Sequence, residues 1–121
     1  MKIAISSTGK DLESDVDARF GRCSYFLIVE IEDKEIKNVK TIENTAKAQM
    51  GGAGITSAQV VANEKPDAVI TVNAGPKAFQ VLSQLGISIY KGSGKIKMVL
   101  QDFISGKLEK IDAATGPMHL S

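Results

Sequence analysis

The chain is poor in the residues that most directly advertise chemistry: one cysteine, one histidine, no tryptophan, and aromatics at only 5%. Because Cys23 stands alone, an internal disulfide and any Cys-x-x-Cys metal or redox pair are excluded, and a reducing cytoplasm is the expected location. So few aromatic rings would equip a stacking platform for single-stranded nucleic acid thinly. Charge of one sign is lacking too. Fifteen basic residues face fourteen acidic ones, for a net charge of +1, so neither a nucleic acid nor an anionic membrane is an expected partner. No apolar run approaches the ~20 residues of a membrane span, and the N-terminal MKIAISSTG contains no secretory h-region. Repeats and low-complexity tracts are absent apart from clusters of glycine.

Enzymatic signatures are missing as well. KIAISS, the first strand, carries no carboxylate to hold a magnesium pair, which excludes two-metal nuclease chemistry. Ser6, Ser7 and Thr8 have no histidine base nearby in sequence, and G-x-x-x-x-G-K-[ST] is absent, with Gly92-Ser93-Gly94-Lys95 only a fragment of it. The chain is therefore not expected to be an enzyme.

What is present is a regular alternation of strands and helices. With 121 residues, 43% of them hydrophobic, the chain can bury a core without staples. A single domain over residues 1–112 is expected, with 113–121 a flexible tail. Ile3 and Ile5 mark strand one. SYFLIVEIE and the segment 35–43, joined at Asp33-Lys34, predict a hairpin with Leu27, Val29 and Ile31 on one face and Phe26 and Ile28 on the other. Ile55, Ala58, Val61 and Ala62 recur at helical spacing until Pro66. AVITV reads as a buried strand. Gly75-Pro76 opens a second helix, Ile87 to Tyr90 form a strand, and Ile96, Val99, Leu100, Phe103 and Ile104 give a third helix. Parallel pairing through right-handed crossovers then predicts an α/β three-layer fold with a mixed five-stranded sheet of order 3-2-1-4-5, strand two antiparallel, and three helices.

Such a sheet gathers four loops at one edge: Ser7 to Cys23, Asn44 to Gly54, Asn73 to Pro76 and Lys91 to Gly94. GGAG, NAGP and KGSG each precede a helix, so three helix N-termini are expected to face one crevice, where bare backbone admits an anion. The candidate binding residues are Arg19, Arg22, Cys23, Met50, Gly51, Gly52, Gly54, Asn73, Gly75, Gly92, Gly94 and Lys95. Cys23 is a candidate soft metal ligand with a thiol pKa lowered by Arg19 and Arg22, or else a small apolar residue packed at a strand start. Met50 is a thioether ligand, a lid or a plain loop residue. His119 is a second metal candidate or a solvated tail residue. Arg19 and Arg22 bind an anion or brace Asp15 and Asp17. Segments 11–17 and 45–54 are expected to be mobile in the empty protein, having few apolar residues to hold them.

DARFGRCSYFLIVEIED, QMGGAGITSAQVVANEKPDAVIT and NAGPKAFQVLSQLGISIYKGSGKI, in that order, resemble the dinitrogenase iron-molybdenum cofactor biosynthesis family over nearly the whole chain. The resemblance implies a ribonuclease H-like fold and a carrier for a metal-sulfur cluster of iron-sulfur or molybdenum-containing type, transiently bound. It also implies cluster-assembly or cluster-receiving proteins as partners, the chain itself being a monomer or weak dimer. One departure stands out: relatives with a cofactor role often have histidine where this chain has Arg19. The residues alone leave another reading open, a regulatory or interaction module whose crevice is empty or takes a phosphate-bearing metabolite.

Overall fold

The computed structural model describes residues 1–112; the expected tail and His119 lie outside the described residues. The elements are β1 (Lys2–Ser7), β2 (Tyr25–Glu32), β3 (Glu35–Glu43), α1 (Ala53–Ala62), β4 (Ala68–Thr71), α2 (Pro76–Gln84), β5 (Ser88–Lys91), α3 (Ile96–Ile104) and β6 (Glu109–Lys110). They form one sheet of order β3-β2-β1-β4-β5-β6. β2 is antiparallel to β1 and β3, while β1, β4 and β5 run parallel. The expected order is thus found, with one correction: a sixth strand, β6, pairs antiparallel with β5 through Tyr90↔Lys110 and Lys91↔Glu109. Two exposed polar residues carry no alternation that a reading of hydrophobic period could detect.

Alternation of side chains across the sheet builds two cores. Ala4, Phe26, Ile28, Val69 and Ile89 point to one face and meet Ala58 and Val61 of α1 and Ala78 and Leu82 of α2. Ile3, Ile5, Leu27, Val29, Ala68 and Ile70 point to the other and meet Ile96, Val99 and Leu100 of α3. Helices on both faces explain why AVIT is buried along its whole length. On the α3 side a single helix cannot cover six strands, and Leu12 and Val16 from the segment after β1 complete that core. In β3 the partly buried Ile36, Val39 and Ile42 are spaced by three rather than two. A bulge lets Ile31 pair with Ile36 while Val29 pairs with Val39, so Ile36 and Val39 share the α3 face and Ile42 turns to the other.

The β2–β3 turn has Asp33 at φ 52° and Lys34 at φ 64°, left-handed conformations that L side chains resist. Lys34→Gly is expected to raise the unfolding free energy by about 0.5–1 kcal/mol. Urea unfolding of the two proteins measures it; a loss of stability would show that the lysine side chain contributes more than its backbone costs.

Candidate functional site

The segment between β1 and β2 organises the C-terminal edge of the sheet. It bridges to three neighbours in turn, Ser7↔Val16, Asp15↔Lys95 and Arg19↔Asn73. Asp17 N–H donates to the Ser6 carbonyl at 2.9 Å, and the Ser6 hydroxyl joins the Asp17 carbonyl and the Thr71 hydroxyl, each at 2.9 Å. Val16 N–H donates to Gly94 O. These bonds, with Val16 and Leu12 in the core, fasten the segment 11–17, which the sequence reading left without anchors.

This segment also divides the edge in two. Ile96 N–H donates to Ser14 O at 2.9 Å and Lys97 N–H to Leu12 O at 3.1 Å, so backbone carbonyls already occupy the start of α3. Lys95 and Lys97 both reach Glu13, and the hydrogen bond and charge of Lys97 hold its carboxyl below the ordinary carboxylate range. Three helix N-termini therefore do not share one crevice: Gly94 and Lys95 belong to this closed half. Gly92 has a packing reason to be glycine, since a Cβ there would lie 2.6 Å from Val99 Cγ1 and 2.9 Å from Ile70 Cγ2.

The other half is open, and its helix starts adjoin. A Cβ on Gly54 would lie 3.7 Å from Ala78 Cβ, which puts the first turns of α1 and α2 against each other. The cap of α1 is Gly52 at φ 71°, that of α2 is Gly75, and neither provides a side-chain cap. Among the described residues no acceptor meets the N–H groups of Ala53, Gly54 and Ile55, or of Lys77 and Ala78. Their partial positive charge is directed to the opening. Gly51 and Gly75 have open space where a Cβ would stand.

Arg19 follows Asn73 along the rim. Its N–H donates to the buried Asp17 carboxylate at 2.9 Å, and its Nε approaches the same oxygen at 3.4 Å, with the side chain 69% exposed. So open an ion pair is weak and leaves the guanidinium free to turn to a ligand. Arg22 donates instead to the carbonyls of Lys47 (2.8 Å) and Gln49. Met50, at the tip of that loop, is 99% exposed.

Cys23 is fully buried, and its thiol lies 3.4 Å from Phe20 O, to which it donates. Burial pushes the pKa up to about 12, with the Asp17 charge adding to the rise and hydrogen bonds from Ser7 and Asn44 opposing it. The expected lowering by Arg19 and Arg22 is overturned, because the thiol points into the core and the guanidinium groups point out. No group of three His, Cys, Asp or Glu side chains placed to hold a metal occurs among the described residues.

Three participants escaped the sequence reading. Asn44, buried at the end of β3, donates from Nδ2 to Gly21 O (3.3 Å) and Cys23 O (3.0 Å), while its Oδ1 accepts from Ala46 N–H and the Ser57 hydroxyl. Ser57 lies 3.1 Å from Gly21 O. A Cβ on Gly21 would stand 3.0 Å from Gly54 N, so the two loops touch backbone to backbone. The one available signal for Gly21 is its place after Phe20 at a strand entrance; Asn44 and Ser57 are polar residues of a kind found in any loop or helix.

Gly92→Ala is expected to cost about 1–3 kcal/mol through overpacking, whereas Gly51→Ala leaves stability within about 0.5 kcal/mol; thermal or urea unfolding of both variants checks the contrast. For Cys23 the raised pKa favours the protonated folded state. Its contribution is complete below the unfolded thiol pKa, about 8.5, and is lost as pH rises towards about 12. Unfolding followed from pH 8 upwards, about one unit per step, is expected to show a decline that Cys23→Ala lacks, and labelling of the native thiol by iodoacetamide at neutral pH to be far slower than in denaturant.

The family described as dinitrogenase iron-molybdenum cofactor matches residues 1–106. The chain is 47% identical over 113 residues to the uncharacterized protein MJ0580 of Methanocaldococcus jannaschii, covering 93% of this chain and 92% of that one. Its fold is similar to that of the orange protein from Desulfovibrio gigas, solved in its apo form, with a TM-score of 0.88 at 30% identity, covering 95% of this chain and 96% of that one. It is also similar to the crystal structure of MJ0327 from Methanocaldococcus jannaschii, with a TM-score of 0.73 at 30% identity, covering 93% and 96% of the two chains. With its ribonuclease H-like layers and glycine-lined sheet edge, the chain belongs to the dinitrogenase iron-molybdenum cofactor family and is a small cofactor-related protein.

Proposed function

We propose that the protein is a non-enzymatic carrier for an anionic metal-sulfur cluster of the iron-molybdenum cofactor type, or for a precursor of one. The observation that carries this reading is the pair of adjoining, uncapped helix N-termini behind the exposed Arg19 guanidinium. Backbone N–H groups and an arginine bind sulfide or oxo edges through charge-assisted hydrogen bonds, and they ask for no particular metal. Cargo held in this way can be released, whereas several direct ligands would retain it.

The family's description supports the choice of cargo, and the orange protein, which is similar in fold, was solved in an apo form. Proteins that assemble or receive the cluster are the proposed partners, in the cytoplasm, with the carrier a monomer or weak dimer. No helix of the described residues is long and apolar enough to cross a membrane.

Anaerobic reconstitution with iron, sulfide and molybdate, followed by gel filtration and metal analysis, tests the reading. Metal and visible absorption are expected to co-elute with the chain. Arg19→Ala is expected to weaken retention by about ten- to a hundred-fold, the scale of a hydrogen bond to a charged group. Cys23→Ser is expected to leave retention intact, since the buried thiol does not face the opening. A chain that retains no metal but binds a phosphate-bearing metabolite would replace the carrier with a regulatory module using the same helix ends.

A further inference from the structure

The strap that joins β3 to α1, residues 45–52, is fixed at both ends and held in its middle chiefly by one side chain. At its start Asn44 is buried, and Ala46 is packed in beside it. At its finish Gly52 turns into α1 at φ 71°. Between these points its internal bonds are local: Lys47 N–H to Asn44 O, Gln49 N–H to Ala46 O, and the Gln49 side chain to Gly51 O. Met50 makes no apolar contribution at the tip, being 99% exposed. Three side-chain hydrogen bonds tie this part of the strap to the neighbouring segment, one from Lys47 Nζ to Ser24 Oγ at 3.0 Å and two from the Arg22 guanidinium to the Lys47 and Gln49 carbonyls. The lysine makes one bond and Arg22 two, to two carbonyls of the strap, so Arg22 is the principal hold.

The chemistry of that hold is unequal. Arg22 has no carboxylate within ion-pair distance among the described residues; its positive charge is met by two neutral carbonyl oxygens. An anion competes well against neutral acceptors, because it adds to the hydrogen bond a full charge–charge attraction that a carbonyl dipole does not offer. Arg22 is also rooted at the open half of the edge, since the preceding residue, Gly21, touches the backbone of Gly54 in the first turn of α1. Gly51 and Gly52 at the far end of the strap supply the backbone freedom that a change of conformation requires.

We propose that Arg22 is a latch: it keeps the strap 45–52 folded down while the crevice is empty, and anionic cargo draws the guanidinium away and frees the strap. The coupling to cargo rests on the reading of the crevice as an anion site; the latch itself does not. Loading would thereby change the surface around Met50, where an assembling or receiving protein can tell a filled carrier from an empty one.

Amide hydrogen exchange on the full chain tests both parts, read at Lys47 and Gln49, whose amides are protected by bonds within the strap. In Arg22→Ala and Arg22→Gln these amides are expected to exchange about ten-fold faster than in the wild type, with β1 and β4 unchanged as a check on the fold. In wild-type protein reconstituted with iron, sulfide and molybdate, the same two amides are expected to accelerate to a similar extent. Wild-type exchange in both variants would overturn the latch. Retained metal with unchanged or slower strap exchange would overturn the coupling, and failure to retain metal would overturn the coupling together with the anion reading, leaving the latch to be decided by the variants alone.

Discussion

The open half of the sheet edge depends on one buried amide. Asn44 reaches the entrance of β2 through the carbonyls of Gly21 and Cys23, accepts from Ser57 on α1, and turns the chain by accepting from Ala46 N–H. Three segments far apart in sequence are joined there, inside an otherwise apolar layer. Each polar atom in the group is paired, and no buried side-chain nitrogen or oxygen among the described residues lacks a partner. Such a network is demanding: removing one partner leaves the others desolvated, a cost of about 1–3 kcal/mol for each group. With Asn44 in place, Gly21 can lie on Gly54, and α1 then begins beside α2.

This packing decides what the edge offers to a ligand. Glycine at 21 and 54 lets backbone meet backbone, so the first turns of α1 and α2 are close enough for their N–H groups to act together. A Cβ at 21 would press on the Gly54 backbone, 3.0 Å from its nitrogen, whereas one at 54 would meet Ala78 of α2 only at ordinary contact distance. On the other side of the segment 14–17 the same kind of helix start is occupied by Ser14 and Leu12 carbonyls and by the pairing of Glu13 with two lysines. One edge thus contains a receptive half and a sealed half. Their difference comes from where the backbone between β1 and β2 runs.

Cys23 and Arg19 show the same logic at the level of single residues. Both lie in the segment between β1 and β2, and both carry chemistry suited to an anion or a metal. Yet the thiol is turned inward, donates to Phe20 O and titrates only at high pH, while the guanidinium is turned outward beside a carboxylate that holds it loosely. Charge and hydrogen bonding face the opening, and soft coordination does not.

Most of the architecture was legible in the order of residues. Period-two runs such as YFLIVEIE and period-3.6 runs such as that from Ile96 to Ile104 report which faces must be buried, and β2 and α3 end where the pattern ends. Sheet order follows from hairpin and crossover rules acting on those elements, which is why only the two-residue β6 was missed. The glycines before each helix were equally visible. Their uses were not, because a glycine has the same symbol whether it approaches a ligand, as the open space at Gly51 and Gly75 permits, or makes room for Val99 and Ile70, as at Gly92. Sequence by itself determined the layers, the strand directions and which loops reach the edge, all consequences of local period and chirality. Only the tertiary structure decided which helix ends remain open, where the thiol points and which arginine is already engaged, since these depend on hydrogen bonds between segments whose separation along the chain conveys nothing of their distance in space.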